Sequence, residues 1–219
     1  MRQASWYEHN YSKICASAIP DSLVFKYAHK SLEKGFKTNA GLNILEIGAN
    51  KGEHVSFVSN DFKKYTLLDI RHPKFLNFEN PKIKFQLGDV EKLPFKDRTY
   101  DRIISTCVFH HLNDPIQGLQ EIRRVVRIGG HISILLPCDP GIMYRALRRL
   151  TTLRTARRYN LLDEVQLVHA LEHQNHFLSL RILINWVFKS DVIKNTFLPF
   201  YIPSYNLNAI TVIKIRRIN

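Results

Sequence analysis

The chain reads as an α/β protein: a doubly wound, mostly parallel sheet with a helical cap inserted before its last two strands. Three observations predict this. Apolar runs of strand length alternate with helically spaced segments from about residue 43 to residue 136, the pattern of a parallel sheet covered on both faces. Three of the runs end in or just before an acid, at Glu46, Asp69 and Asp89. The first acid is followed by Gly48 and Gly52, which permit a tight strand-to-helix turn and close approach of a ligand. Open sheets bind ligands beyond the carboxyl ends of their strands, so these acids mark the expected binding edge.

Each element follows in order. Residues 1–40 are polar-aromatic and helical in pattern, with Pro20-Asp21-Ser22 as a helix start. Asn43–Ile47 is a short buried strand, and Glu53–Asn60 continues as a helix out of the glycine turn. Tyr65–Asp69, Ile83–Leu87 and Arg102–Thr106 are the next strands, the last following the turn Lys96-Asp97-Arg98. Pro115–Val126 carries Ile116, Leu119, Ile122, Val125 and Val126 at helical spacing. Gly129-Gly130 closes that helix and His131–Leu136 is the fifth strand. Gly141–Lys189 is mostly helical and forms the cap, 141–190, over the ligand edge. Thr196–Ile202 and Ala209–Arg216 read as strands joined by Pro-Ser-Tyr-Asn. A single domain over 1–219 accommodates all of this.

Composition narrows the partners. The 45% hydrophobic content is that of a globular protein. No apolar run reaches the roughly 20 residues of a membrane span, and Met1–Lys13 is unlike a signal peptide. Cys15, Cys107 and Cys138 share no short metal-like spacing, which favours free thiols in a reducing cytoplasm. The net charge of +13 suggests a polyanionic neighbour: nucleic acid, an anionic lipid surface or a phosphorylated substrate.

The glycine turn discriminates between ligands. A dinucleotide site needs Gly-x-Gly-x-x-Gly to admit a pyrophosphate. Counted from Gly48, Asn50 and Glu53 stand where the second and third glycines belong. Glu46 also disfavours a nearby pyrophosphate and suits an ammonium group instead. Asp69 can accept both ribose hydroxyls. Asp89 can accept from an adenine amino group while the Val90 backbone meets the ring edge. The alternative for either Asp is a helix N-cap.

The stretch from about Leu42 to Pro137 resembles the class I S-adenosylmethionine (SAM)-dependent methyltransferases, and within them the quinone-biosynthesis group. The matching pieces are Leu-Glu-Ile-Gly-Ala-Asn-Lys-Gly, Asp69, Gly-Asp-Val-Glu-Lys-Leu-Pro-Phe, Tyr-Asp-Arg-Ile-Ile-Ser-Thr-Cys-Val-Phe-His-His-Leu-Asn-Asp-Pro and Glu-Ile-Arg-Arg-Val-Val-Arg-Ile-Gly-Gly. They cover just under half of the chain. The resemblance implies a seven-stranded Rossmann-like sheet with an antiparallel last strand and SAM as cofactor. It implies Glu46, Gly48 and Gly52 near the methionine moiety, Asp69 on ribose, and Asp89 with Val90 at adenine. Thr106-Cys107 ends the fourth strand at the same edge, and Tyr11 either closes over the cofactor, as N-terminal tyrosines do in similar enzymes, or is a packing aromatic. Asn50 departs from the family, where many members have glycine.

The sulfonium methyl is already activated, so orientation supplies much of the rate, but a hydroxyl or ammonium acceptor needs a base. His110 and His111, just after the fourth strand, are the candidates; their alternative is to pack the next helix. In the cap, His169, Glu172, His173 and His176 lie at helical spacings of three and four, as if on one face. No cysteine is close and the family needs no metal, so a substrate-facing helix is expected there and no metal site. His173 and His176 are further base candidates. Arg145, Arg148, Arg149, Arg154, Arg157 and Arg158 form an acid-free run suited to phosphate. Interleaved Ile142, Met143, Leu147, Leu150 and Leu153 make the same run suited to an anionic membrane. The expected enzyme methylates an oxygen or nitrogen of a small, anionic or lipid-linked acceptor, with a sugar as the leading class. It is expected in the cytoplasm, with or without peripheral contact at the inner membrane face. The rivals are an RNA methyltransferase and a SAM-binding protein without turnover.

Overall fold

In the computed structural model, which describes residues 23–36, 41–72 and 78–219, seven strands form one sheet in the order β3-β2-β1-β4-β5-β7-β6. The strands are β1 (Leu42–Ile47), β2 (Phe62–Asp69), β3 (Ile83–Leu87), β4 (Tyr100–Thr106), β5 (Val126–Pro137), β6 (Val192–Leu198) and β7 (Ile210–Arg216). The first five are mutually parallel, and β7 runs antiparallel to both β5 and β6. The helices are α1 (Leu23–Glu33), α2 (Pro115–Val125), α3 (Ile142–Arg148), α4 (Arg154–Arg158), α5 (Leu162–Glu172) and α6 (Phe177–Val187). The start expected at Pro20-Asp21-Ser22 lies outside the described residues.

Strand alternation divides the core. Leu45, Ile47, Ile103, Ile132 and Ile134 pack on one face with Leu119 and Ile122 of α2 and Leu180 and Ile184 of α6. Ile44, Tyr65, Leu67, Ile104 and Leu135 pack on the other with Ala28 and Leu32 of α1. The period of two sends neighbouring residues to opposite faces, so both must be apolar in a sheet covered on both sides.

A buried polar network pins α1 to the sheet. Arg102 on β4 is fully buried and gives Glu33 two hydrogen bonds, at 2.7 and 2.6 Å. His54 Nε2 meets Glu33 Oε1 at 2.9 Å, and His54 Nδ1 meets His29 Nδ1 at 2.7 Å. The Phe36 ring lies 4.1 Å from the Arg102 guanidinium. Burial raises the Glu33 pKa, but the His54 and Arg102 contacts outweigh it and hold the carboxyl below its usual range. Burial, helped by the nearby His54, pushes His29 down to about 3.

Three elements differ from the sequence expectation. The helix expected over Glu53–Asn60 is only a 3-10 turn, Glu53–Phe57, whose His54 is drawn into the network beneath. α2 stops at Val125 and Gly129-Gly130 lie inside β5, because Val126 already pairs with Tyr100. The sixth strand is Val192–Leu198 rather than Thr196–Ile202, and residues 199–209 connect it to β7. Asn208 organises that connection, accepting from Phe200 N and donating to the Ile202 and Ser204 carbonyls.

Glu33→Ala should cost about 3–5 kcal/mol in denaturant unfolding, because Arg102 would remain buried without its partner. In the parent chain this stabilisation is full above the ordinary glutamate pKa of 4.5 and is lost as the pH falls through the lowered folded value. An Ala variant within about 1 kcal/mol of the parent would contradict the assignment.

Candidate functional site

The carboxyl ends of β1, β2 and β4 meet where the strand order reverses. Glu46, near the end of β1, is 1% exposed and accepts from the Tyr65 hydroxyl at 2.8 Å. Burial pushes its pKa up to about 8, so the carboxyl is protonated at neutral pH. Gly48 and Gly52 have φ of 67° and 74°. A Cβ on Gly48 would lie 2.1 Å from the Val108 side chain, and one on Gly52 would lie 2.6 Å from Phe78. Asn50 takes φ 47°, which asparagine tolerates better than most residues, and its amide donates to Glu53 Oε1 at 2.8 Å. Asn50 thus holds a left-handed conformation of the kind glycine adopts freely.

Asp69 binds the turn from below. Its Oδ2 accepts from Asn50 N and its Oδ1 from Arg71 N, each at 3.0 Å. Each oxygen retains further acceptor capacity. Asp89 is exposed and its Oδ1 accepts from Glu91 N, so it caps a turn while remaining open to solvent. Val90 is buried in the core. Ile70 and Leu87, just beyond β2 and at the end of β3, are 66% and 53% exposed. Their apolar surface beside two acids is unexplained by packing and suits a planar ring. Cys107 has φ 55°, and its thiol packs against the core, with burial raising its pKa to about 12. Tyr11 lies outside the described residues.

A second group forms where the segment after β4 meets the helices between β5 and β6. Phe109–His111 is a 3-10 turn. Asn175 grips it: its backbone N–H donates to the His110 carbonyl at 3.2 Å, and its side chain to the carbonyls of Phe109 and Leu112 at 3.3 and 2.7 Å. The result is a histidine stack. Ring centroids are 3.9 Å apart for His110 and His111, 4.4 Å for His110 and His173, and 3.9 Å for His169 and His173. His173 Nδ1 lies 3.1 Å from Asp139 Oδ2. His169 Nε2 is 3.3 Å from the same oxygen.

Electrostatics separates these imidazoles. Burial drives His110 well below 6.5, and His111 and His173 reinforce the shift. Burial and His173 bring His111 down to about 4. His173 is lowered by burial, against the raising effect of the Asp139 hydrogen bond. All three are neutral near pH 7. Asp139 stays ionised because His169 and His173 outweigh its burial.

His176 does not join the stack. α5 ends at Glu172, and His176 is exposed as the N-cap of α6. The face expected for His169, Glu172, His173 and His176 is therefore broken before its last member. Arg145 and Arg148, with Arg149, Leu153, Arg157 and Gln166, line a cavity of about 600 Å³. A π turn, Arg149–Leu153, interrupts the helix there, a feature that recurs at functional sites. Arg148 Nη2 is buried without a hydrogen-bond partner, and the Arg148 charge is felt at His173. Asp139 and Asn175 were not singled out in the sequence; Asp139 lies two residues beyond β5.

Residues 45–134 match the family model described as a methyltransferase domain. The chain is 29% identical over 122 residues to 2-methyl-6-phytyl-1,4-hydroquinone methyltransferase 1 of Oryza sativa subsp. japonica, covering 50% of this chain and 35% of that one. It is 25% identical over 142 residues to the tRNA U34 carboxymethyltransferase of Campylobacter curvus, covering 60% and 45%. The chain spans less than half the length of these curated relatives. Among solved structures, the plantazolicin methyltransferase BpumL, in complex with a monoazolic desmethylPZN analogue and SAH, superposes with a TM-score of 0.67 at 15% identity, covering 99% and 94%. The CurJ carbon methyltransferase gives 0.61 at 17% identity, covering 91% and 56%. Residues 45–134 are therefore similar to a methyltransferase domain, and the fold is that of the class I SAM-dependent methyltransferases.

Asn175→Ala should lower stability by about 1–3 kcal/mol, since it strips hydrogen bonds from the carbonyls of Phe109 and Leu112. Amide exchange over residues 109–112 should rise with it; unchanged exchange would show that the turn stands without Asn175.

Proposed function

We propose that the chain is a SAM-dependent methyltransferase acting on an oxygen or nitrogen of a small anionic acceptor held beneath the cap formed by residues 141–190. The observation that carries this is the arginine-lined cavity, whose Arg148 charge acts on His173 of the histidine stack.

The residues present suit the cofactor. The buried Glu46 carboxyl can give up its proton and take an ammonium group. Asp69 can accept ribose hydroxyls while still holding the turn. Exposed Ile70 and Leu87 offer apolar surface to adenine, with Asp89 and the Val90 backbone for its edge. Gly48, Asn50 and Gly52 keep the turn tight, and Cys107 shapes the end of β4. When bound, the cofactor supplies an electrophilic methyl group. The chain then aligns the acceptor for in-line attack and handles its proton.

The histidines divide that work. His110 is sealed and positions its neighbours. His111 shares its Nδ1 proton with the Glu172 carbonyl, 3.1 Å away, so its Nε2 lone pair is free for an acceptor. His173 is the better proton acceptor, because Asp139 stabilises its protonated form as the Asp of a Ser-His-Asp triad does. His176, exposed at the cap surface, contributes to acceptor entry at most. Arg145 and Arg148 take the anionic group bidentately.

Four arginines flanked by exposed Ile142, Leu150, Leu167 and Leu171 also suit peripheral contact with an anionic membrane that supplies a lipid-linked acceptor. Among the described residues no helix is long and apolar enough to cross one. The tRNA-modifying relative supports RNA as a second reading of the same positive surface. RNA binding would weaken steeply between about 50 and 200 mM salt, whereas a small acceptor would not show that dependence.

Calorimetric titration with SAM, SAH and NAD tests the cofactor. Binding of the two sulfur ligands and not NAD is expected; their failure to bind would overturn the reading. The raised Glu46 pKa means the free chain keeps this proton up to about pH 8. SAM binding at pH 7 should therefore release close to one proton, read from the buffer dependence of the heat. Glu46→Gln should abolish the release and weaken binding by about tenfold to a hundredfold. Undiminished release from that variant would dismiss Glu46. Once an acceptor is found, Arg148→Gln should raise its KM at least about tenfold with kcat nearly unchanged, the signature of lost uniform binding. A selective fall in kcat would move Arg148 from binding to the chemical step.

A further inference from the structure

The histidine stack has a donor arrangement that methyl transfer alone does not require. His110, His111 and His173 each present a ligand atom within 4.8 Å of the other two. The protons can be assigned from the partners. A carbonyl oxygen only accepts, so His111 Nδ1–H donates to Glu172 O and leaves the Nε2 lone pair free. Asp139 takes the Nδ1 proton of His173 and leaves that Nε2 lone pair free as well. His110 is 4% exposed, and its Nδ1 is buried without a hydrogen-bond partner. A buried nitrogen left so is costly unless something outside the described protein atoms meets it.

The geometry points to a binding site for one divalent transition-metal ion of the zinc type, held by His110, His111 and His173. Imidazole is the ligand such ions favour. Tetrahedral zinc at about 2.0–2.1 Å from each nitrogen sets the donors roughly 3.3 Å apart, a contraction that side-chain rotation can supply. The outer partners are those of ligating histidines: a backbone carbonyl on one Nδ1 and a carboxylate on another, fixing tautomer and ring orientation.

Charge around the stack is mixed. Asp139 lies against His173, and Glu172 Oε2 is 3.5 Å from His111 Nδ1. These two carboxylates offset a dication, while the Arg71 and Arg148 charges oppose it. Asp139, His169 and His173 form a second close group. Asp139 is already engaged with the His173 Nδ1 proton, so we assign it and the stacked His169 to the outer shell.

Three nitrogens leave a coordination position open, as in catalytic rather than structural sites. An acceptor oxygen there, with its anionic group toward Arg148, would lose its proton more readily to solvent or carboxylate. With the ion bound, His111 and His173 serve as ligands instead of proton acceptors. The site itself does not depend on SAM.

Metal-stripped protein comprising residues 1–219 is titrated with Co2+, following its visible d–d absorption, and the bound ion is then displaced with Zn2+. One equivalent with the intense bands of a four- or five-coordinate nitrogen site is expected. His111→Asn and His173→Asn should each abolish stoichiometric uptake. Asp139→Asn should weaken it by about 10–100-fold. His176→Ala should leave it unchanged. His110 is too buried for a clean substitution. Uptake below one equivalent in the parent, or uptake preserved in both ligand variants, would overturn the proposal. Should a ligand variant fail to fold, Asp139→Asn decides in its place: unchanged affinity there would also overturn it. SAM titrations of the same samples keep the two readings apart. SAM binding without metal uptake removes only the metal site, and metal uptake without SAM binding removes only the methyltransferase reading.

Discussion

Everything at the candidate site depends on the parallel pairing of β1 with β2 on one side and β4 on the other. Parallel strands deliver their carboxyl ends to one edge, and the order reverses at β1, so the loops on its two sides diverge and leave a crevice. Glu46, Asp69 and the His110-His111 turn reach that edge because of this register. A slip of one residue would send each strand's side chains to the opposite face. Buried polar contacts help to prevent it: Tyr65 on β2 holds Glu46 on β1, and Arg102 on β4 holds Glu33 on α1.

The site couples two environments with opposite electrostatic logic. On the β1–β2 side, acids stand near the turn, and burial favours the neutral form of one of them, Glu46. On the side of the helices, positive arginines line a cavity, and the imidazoles of His110, His111 and His173 stay neutral. A cationic methyl donor and an anionic acceptor would therefore be sorted to opposite sides of the histidine stack. Sorting of this kind brings two charged molecules together in one orientation, where proximity can supply several kcal/mol of the barrier.

Much of the edge was legible in the sequence because its chemistry is local. An acid closing an apolar run reports a strand end, and Gly48 with Gly52 reports the turn that follows. Asn50 could stand in for glycine because the backbone conformation, not the side chain, is the requirement. The helix expected after the turn was misread because His54 is drawn into a network with Glu33 and His29, partners distant in sequence. The start of β5 was misread because Val126 is claimed by Tyr100 across the sheet. The histidine stack was out of reach of spacing arguments. Residues 110, 111, 139, 169 and 173 come from separate segments, and helical periodicity grouped His176 with them although α5 ends before it. Asn175, which fastens the cap to the β4 turn, gives no pattern in one dimension.

A crystal structure with SAH and inorganic phosphate tests the central claim most directly. The account predicts the amino group of SAH beside Glu46, its ribose at Asp69, its adenine between Ile70 and Leu87, and its sulfur facing the histidine stack. Phosphate should lie in the arginine cavity on the far side of that stack. SAH bound elsewhere, or a phosphate occupying the Glu46–Asp69 edge itself, would contradict it.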